Sequence, residues 1–491
     1  MIPFAHLVRR LRVPAALSAL ALALGAQALS PQPWPPSWND TPATATDFSP
    51  VQFTAPQAAD CHRLPAVREV AGREAEPQGR LRREDRMAEA AGIAEARESA
   101  DKARAVSKSA PPAASFAPQP APAPKSRPQQ EPAVTVTAGV VDDHAHFREN
   151  LAYRQRRAQG LTVRDRDVSE RYPLEVVDAN GRPVHDAEVA VQRAGVAEPV
   201  AWARTDTAGR VWLHPRAFLS PDAGQDRVLG IAVRKQGAMG RATLTRGQAH
   251  AVQVRLDRAA PVARPRLDLV FLVDATGSMG DEIAKLKSSM LAMSQQIGRL
   301  PGQPDICYGL VAYRDKGDAF LTRTADFTDN LGAFQSALGR LQAGGGGDTP
   351  EALNEALAET VHGLAWRRDA VRLVVLVADA PPHLDYGGPQ YDRDMQAALA
   401  KGIKLFPVGA SGLDPSGEYV FRQLAQYTAG RFVFLTYRDG ADPSSGPGSE
   451  TVHDVRQYSV QTLDRLVVRL VGEELAKLSG CRGAACSKLG G

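Results

Sequence analysis

Five apolar runs, LDLVFLVD, ICYGLVAYRD, VRLVVLVAD, IKLFPVGA and RFVFLTY, punctuate the stretch from about residue 267 to 476. A run that is apolar at nearly every position has no face to offer water, so both of its faces must be covered. Between the runs lie helical patterns: DEIAKLKSSMLAMSQQIGRL, a segment near 330–342, PEALNEALAETVHGLAW, QYDRDMQAALAKG, EYVFRQLAQYTAG and a last one over 457–476. Strands and helices in alternation predict an α/β fold, a doubly wound and mostly parallel sheet. Ligands of such sheets sit at the carboxyl ends of the strands.

Three sequence elements fall at that edge. Asp274-Ala-Thr276-Gly-Ser278 follows the first strand, Thr349 lies in GGGGDTPEA before a helical pattern, and Asp379 ends VRLVVLVAD. Thr276 and Ser278 alternate in a turn, so both hydroxyls can face one centre while Asp274 supplies charge. Hard oxygen donors of this kind suit Mg²⁺, and Mn²⁺ or Ca²⁺ less selectively. Three hydroxyls with two carboxylates only about balance such an ion, leaving a coordination position attractive to an anionic oxygen.

Other chemistries fit less well. An aspartyl-phosphate phosphatase needs an orienting lysine, and Lys285 and Lys287 fall on the first helix, where they are expected to be solvated. ATGSMG lacks the G-x-G-x-x-G order, and no Gly-Lys-Ser/Thr follows Gly344–Gly347, so neither is a nucleotide loop. Those glycines are expected to let Thr349 reach the ion beside a mobile loop. Asp348 reads either as the cap of a helix beginning at Pro350 or as an outer-shell residue of the ion site. Tyr313-Arg314-Asp315 lies near the same edge, as rim charges or as a plain ion pair. His383 reads as a surface-loop residue, with a pH-sensitive rim contact as the alternative, and Cys307 as a buried apolar one. No nucleophile with an activated base stands out, and the chain is not expected to be an enzyme.

The stretch 267–476 resembles the von Willebrand factor type A domain, and its acidic turn resembles that family's metal-ion-dependent adhesion site. The family pattern is Asp-x-Ser-x-Ser, with a Thr from a later loop and an Asp from one later still. Asp274, Ser278, Thr349 and Asp379 match it, and Thr276 keeps the hydroxyl of the first Ser while adding a methyl. The resemblance implies that Asp274, Thr276 or Ser278, and Thr349 contact the ion directly or through water, with Asp379 acting through water. It implies a protein partner whose exposed Asp or Glu completes the metal shell. The alternatives are a structural or assembly component of a cell-envelope complex with a stabilising metal, and a metal-dependent hydrolase.

The rest of the chain sets the context. Arg9, Arg10 and Arg12 precede VPAALSALALALGAQAL, which reads as a secretory signal over 1–30, cleaved after Ala28 or near Ser30. Left uncleaved, the run would be a membrane anchor at the short limit for spanning, and it is the one membrane contact expected. The protein is therefore expected to be exported: periplasmic, cell-surface or secreted. Residues 31–139 read as a disordered Pro/Ala-rich stalk, with a helix possible over 81–106. Residues 140–171 read as a helical linker, with Arg154, Arg156 and Arg157 on a solvated face.

Residues 172–257 alternate apolar and polar positions around turns at Asn180-Gly181 and Asp206–Gly209, predicting a small antiparallel sandwich. The pattern D-x-x-G-x-P-V-x-x-A-x-V, then T-D-x-x-G-x-x-x-L, resembles transthyretin-like or carboxypeptidase-regulatory-like modules, which implies a spacer. The whole of 140–476 is similar to exported bacterial proteins that set such a module before a von Willebrand factor type A domain. Residues 477–491 read as a flexible tail, in which Cys481 and Cys486 could close a small loop in an oxidising compartment. A formal charge of +4, from 59 basic and 55 acidic residues with no dense basic stripe, gives no reason to expect nucleic acid as a partner.

Overall fold

The computed structural model describes residues 48, 50–53, 59–72, 135–220, 226–260 and 264–478. The expected signal segment, the expected helix 81–106, Cys481, Cys486 and most of the tail lie outside the described residues. Among the described residues no helix is long and apolar enough to cross a membrane.

A ten-stranded sheet organises the chain. Its order is Val67–Val70, Thr322–Thr328, Asp305–Tyr313, Arg266–Asp274, Ala370–Ala378, Ile403–Gly409, Phe432–Asp439, Thr137–Val141 and Gln461–Thr462, with Asp442–Pro447 paired beside Phe432–Asp439. The neighbours from Asp305–Tyr313 through Phe432–Asp439 are parallel. The outer pairs are antiparallel.

Alternation along each strand sends side chains to two separate cores. Leu269, Phe271 and Val273 meet Leu286, Met290 and Met293 of the helix Gly280–Ile297 and Leu466 and Leu470 of Leu463–Leu478. Val270 and Leu272 join Leu353 and Leu357 of Leu353–Ala358, Met395 of Tyr391–Ala400 and Leu424 of Pro415–Tyr427 on the other face. The expected α/β sheet, covered by helices on both faces, is thus present.

The sandwich region holds two small sheets. One joins Arg210–Leu213, Tyr172–Val177 and Val252–Arg255, and the other joins Ala201–Arg204, Glu188–Arg193, Val228–Lys235 and Ala238–Thr245. Both turns foreseen from the sequence are closed by an aspartate. Asp178 Oδ1 accepts from the backbone N–H of Asn180 and Arg182, and Asp206 Oδ1 from those of Ala208 and Arg210. One pairing departs from expectation: Val252–Arg255 runs parallel to Tyr172–Val177, so the region is not antiparallel throughout.

Several boundaries also move. Thr137–Val141 lies inside the large sheet, so the sandwich is spliced between that strand and the first parallel strand. Within the expected stalk, residues 59–72 are tied to the sheet edge by the strand Val67–Val70 and a Cys61–Cys307 disulfide, so Cys307 is not simply an apolar filler. A helix does form at Phe147–Arg157, but Arg154 is buried beneath the Tyr419 ring and pairs with Asp165 rather than facing solvent.

The sandwich docks on the amino ends of the parallel strands. Asp186, with 2% of its surface exposed, accepts from Arg372 at 2.8 Å and Arg204 at 3.0 Å, with Lys235 at 3.7 Å. Beside it, Lys404 donates to Glu474 at 2.8 Å and to Asp206 at 3.3 Å. Burial alone would raise the Asp186 carboxyl, but Arg372, Arg204 and Lys235 outweigh it and hold it far below the usual carboxylate range. A depressed carboxylate stabilises the fold above its unfolded value of about 3.9 and loses that contribution as pH falls through and below it. Asp186→Asn should therefore flatten the decline in unfolding free energy between about pH 5 and pH 3, and should cost about 3 kcal/mol or more at neutral pH, since it strands buried cations. Urea titrations at both pH values read this directly.

Candidate functional site

The carboxyl ends of Arg266–Asp274, Asp305–Tyr313 and Ala370–Ala378 are adjacent in the sheet, which delivers Asp274, Tyr313 and Asp379 to one edge. Asp274 is fully buried. Its Oδ1 accepts from the Thr276 backbone N–H at 2.9 Å and the Thr276 hydroxyl at 2.7 Å. Thr276 Oγ1 lies 3.1 Å from Ser278 Oγ, and Ser278 is near enough to Asp379 to lower its carboxyl pKa. Asp274, Thr276, Ser278 and Asp379 thus lie together at one edge of the sheet.

Thr349 is not joined to them. It is exposed and makes no hydrogen bond among the described residues. Asp348, also exposed, does not cap a helix, because the helix begins only at Leu353 behind an Ala352 N-cap. Between them and that helix, Glu351 is drawn inward by a short bridge to Pro382: its N–H donates to Pro381 O and its carbonyl accepts from His383 N–H. Only 3% of Glu351 is exposed. A methyl placed on Gly346 would lie 2.8 Å from Glu351 Oε1 and 3.2 Å from Thr276 Cβ, so carboxylate and hydroxyl residue flank the same point.

The site therefore gains a carboxylate that sequence reasoning missed. TPEA looks like the first turn of a helix, and nothing local marks Glu351 as bent into the sheet edge.

The glycine run is hydrogen-bonded to its neighbours. Gly344 N–H donates to Ala275 O, Gly345 O accepts from Gly277 N–H, and Gly346 N–H donates to Asp318 Oδ2 at 2.7 Å. Gly345 and Gly346 have φ of +76° and +67°. A Cβ on Gly345 would fall 2.2 Å from Asp318 Oδ2, so the close approach requires glycine there.

The surroundings carry further corrections. His383 is buried, not on the surface; it stacks on Tyr386 at 3.9 Å and contacts Asp385 at 3.0 Å through Nδ1. The Tyr386 hydroxyl donates to Asp315 at 2.7 Å. Arg314 does not pair with Asp315; its guanidinium donates to Ala275 O and Gln342 O.

Electrostatically the edge is unbalanced. Asp274 Oδ2, Asp379 Oδ1 and Glu351 Oε2 are buried with no hydrogen-bond partner. Burial first, then the Asp379 carboxylate, push Asp274 up to about 7. Burial, then Asp274, Asp315 and Asp379, push Glu351 up to about 9. Asp379 is raised by burial and by Glu282, against the lowering pull of Ser278. Burial and the Asp274 charge raise the Tyr313 phenol well above its usual range.

Carboxyls gathered out of water raise one another's pKa, and hydroxyl and carboxylate oxygens are the donors a hard divalent ion accepts. Among the described residues no three His, Cys, Asp or Glu side chains are spaced to hold a metal unaided. Any ion here would depend on the hydroxyls of Thr276 and Ser278 as well.

Residues 268–439 match the von Willebrand factor type A domain. The chain is 31% identical over 133 residues to the alpha-protein kinase vwkA of Dictyostelium discoideum, covering 27% of this chain and 21% of that protein. It is 33% identical over 122 residues to an ariadne-like RING finger protein of Acanthamoeba polyphaga mimivirus, covering 24% of this chain and 11% of that one. The chain thus spans only a small part of these relatives.

Among solved structures, the pilus adhesin SpaC of Lactobacillus rhamnosus GG is similar at 14% identity and a TM-score of 0.26, over 43% of this chain and 31% of that one. BatB of Bacteroides thetaiotaomicron is similar at 13% identity and a TM-score of 0.30, over 44% of this chain and all of that one. Domains of the matched family are generally non-catalytic modules for protein interaction, and this chain carries one.

Gly346→Ala tests the packing of the edge. A left-handed alanine costs about 1–2 kcal/mol, and its methyl must displace Glu351, so the variant should lose at least that much in a urea titration.

Proposed function

We propose that the carboxyl edge of the sheet holds a divalent cation, Mg²⁺ by preference with Mn²⁺ or Ca²⁺ as substitutes, and that the protein uses it to bind another protein. The observation that carries this reading is the set of orphaned, buried oxygens of Asp274, Asp379 and Glu351 around the hydroxyls of Thr276 and Ser278. When bound, such an ion supplies a coordination position that a partner's exposed Asp or Glu can fill. Asp274 and Asp379 would bring the charge, Thr276 and Ser278 neutral oxygens, and Glu351 a third carboxylate. Thr349, exposed on the rim, would approach only through water.

Export fits the same reading. The arginines and apolar run at the N-terminus have the form of a secretory signal, and the Cys61–Cys307 disulfide belongs in an oxidising compartment. The sandwich grips the amino ends of the strands, opposite the carboxyl edge that bears the site. That placement suits the spacer role implied by its likeness to transthyretin-like or carboxypeptidase-regulatory-like modules.

One observation favours a second reading. Glu351 adds a carboxylate that can occupy the position left for a partner, and the ion would then stabilise the domain within a larger envelope assembly.

Mn²⁺ or Mg²⁺ titrated into the full chain by calorimetry should bind, and Asp274→Ala should weaken that binding at least 100-fold with the circular dichroism spectrum unchanged. Unaltered affinity in Asp274→Ala refutes the site. Partner capture that survives chelation while the melting temperature falls would assign the ion the structural role.

A further inference from the structure

Residues 48 and 50–53 lie on the sandwich, and residues 59–72 form a strap along the large sheet. Phe48 packs on Gly230, where a Cβ would lie 2.5 Å from its ring. Phe53 meets the Trp202 ring edge-on at 5.6 Å and lies beneath the Arg234 guanidinium at 4.7 Å. The chain then reaches the large sheet, where Cys61 is bonded to Cys307, across 246 residues of sequence. From there it runs along the outer strand. His62 N–H donates to Phe327 O, Ala66 O accepts from Asp326 N–H, Val67–Val70 pairs with Thr322–Ala325, and Val70 O accepts from Leu321 N–H. Arg68 binds Glu359 and Asp326, and Glu69 binds Arg323.

Two features of this strap stand out. Beyond Cys61 its large apolar side chains contribute little to any core: Leu64, Val67 and Val70 are 74%, 61% and 47% exposed. Backbone hydrogen bonds, ion pairs and the disulfide therefore hold it. Its end also abuts the candidate site. Gly72 O accepts from Gly317 N–H at 2.7 Å, and a Cβ on Gly72 would fall 2.5 Å from Asp318 O. The loop it presses carries Asp318, whose Oδ2 accepts from Asp315 N–H and from Gly346 N–H. Gly346 borders Thr276 and Glu351, and Gly345 O takes Gly277 N–H. An unbroken run of contacts thus joins the strap to the turn bearing Thr276 and Ser278.

We propose that the strap positions the ion site through Asp318, and that the Cys61–Cys307 disulfide keeps it in place. This rests on the ion-binding reading above. Breaking the disulfide with a dithiol gives two cysteine thiols and oxidises the dithiol to its own disulfide, so electrons and protons balance. Cys61 is the half-buried partner and Cys307 the fully buried one, so attack falls on the Cys61 sulfur. Once the bond is open, the described residues that flank the strap and remain anchored are Phe53 and Thr135 onward. The marginal strand then leaves the edge, Gly317 loses its acceptor, and the glycine run loosens about Thr276. Asp318 is a positioning residue, since it touches the glycine run and not the ion donors.

Amide hydrogen exchange and Mn²⁺ calorimetry on the full chain test this, with the oxidised protein compared against the dithiol-treated protein and Cys61→Ser. Thr322–Ala325, Gly317, Gly346 and Gly277 should lose protection at least tenfold, while Thr137–Val141 at the far side of the sheet keeps its own. Mn²⁺ affinity should fall about tenfold. Asp318→Ala should reproduce the loss at Gly346 and Gly277, and the weaker Mn²⁺ binding, with the disulfide intact. Unchanged exchange at Gly317 and Gly346 on reduction overturns the proposal, as does released strand pairing with unaltered Mn²⁺ affinity. Should neither form bind Mn²⁺, the ion reading falls, while exchange at Gly346 and Gly277 still decides whether the strap positions the turn.

Discussion

Strands such as Ala370–Ala378, buried at every position, leave charged side chains nowhere to go but the two ends of the sheet. The two ends resolve this burial in opposite ways. At the amino ends every buried charge has a partner of opposite sign: Asp268 with Arg367, Arg372 with Asp186, Lys404 with Glu474. At the carboxyl ends Asp274, Asp379 and Glu351 face one another with orphaned oxygens. Paired charges serve architecture, and here they fix the sandwich to the sheet. Unpaired like charges are costly to a fold on its own terms, and that cost is what motivates the ion-binding reading proposed above.

Much of this was legible in the sequence, for physical reasons. Doubly covered strands announce themselves because every position is apolar, and a parallel sheet then dictates where Asp274 and Asp379 must lie. Asn180-Gly181 and Asp206–Gly209 were readable because an aspartate closing a turn acts within a few residues. What escaped notice depends on partners far away in the chain. Glu351 looks helical until Pro381 and His383 draw it into a bridge. The Cys61–Cys307 bond spans 246 residues and has no local signature. Val67–Val70 is too short and too exposed to show a period, and Thr137–Val141 hides at the end of a Pro/Ala-rich tract. Arg154 and His383 were assigned to solvent because their ring and carboxylate neighbours come from other elements.

The splice of the sandwich into the α/β domain follows from the same pairing. Thr137–Val141 enters the large sheet before the sandwich begins and Arg266–Asp274 resumes it afterwards, so the sandwich has two covalent connections to its host. A module held at both ends and clamped by buried ion pairs moves little relative to the sheet. On the spacer reading proposed above, it would set the orientation of the opposite, carboxyl edge rather than reach a partner independently.

Glu351 bears on how that edge discriminates. With two carboxylates and two hydroxyls, a divalent ion stays about neutral and attracts a further anion; with Glu351 ionised as well, the site is negative and repels one. The two states differ by one carboxylate whose backbone is held by the bridge to Pro382 and whose side chain is bordered by the glycine run. On the ion-binding reading proposed above, selection of an acidic partner would depend on whether Glu351 can turn aside, and that freedom is limited by Gly346, whose N–H donates to Asp318 at 2.7 Å. The glycine run, which in sequence looks like slack, is packed against both Asp318 and Glu351, so a shift there bears directly on where the Glu351 carboxylate can sit.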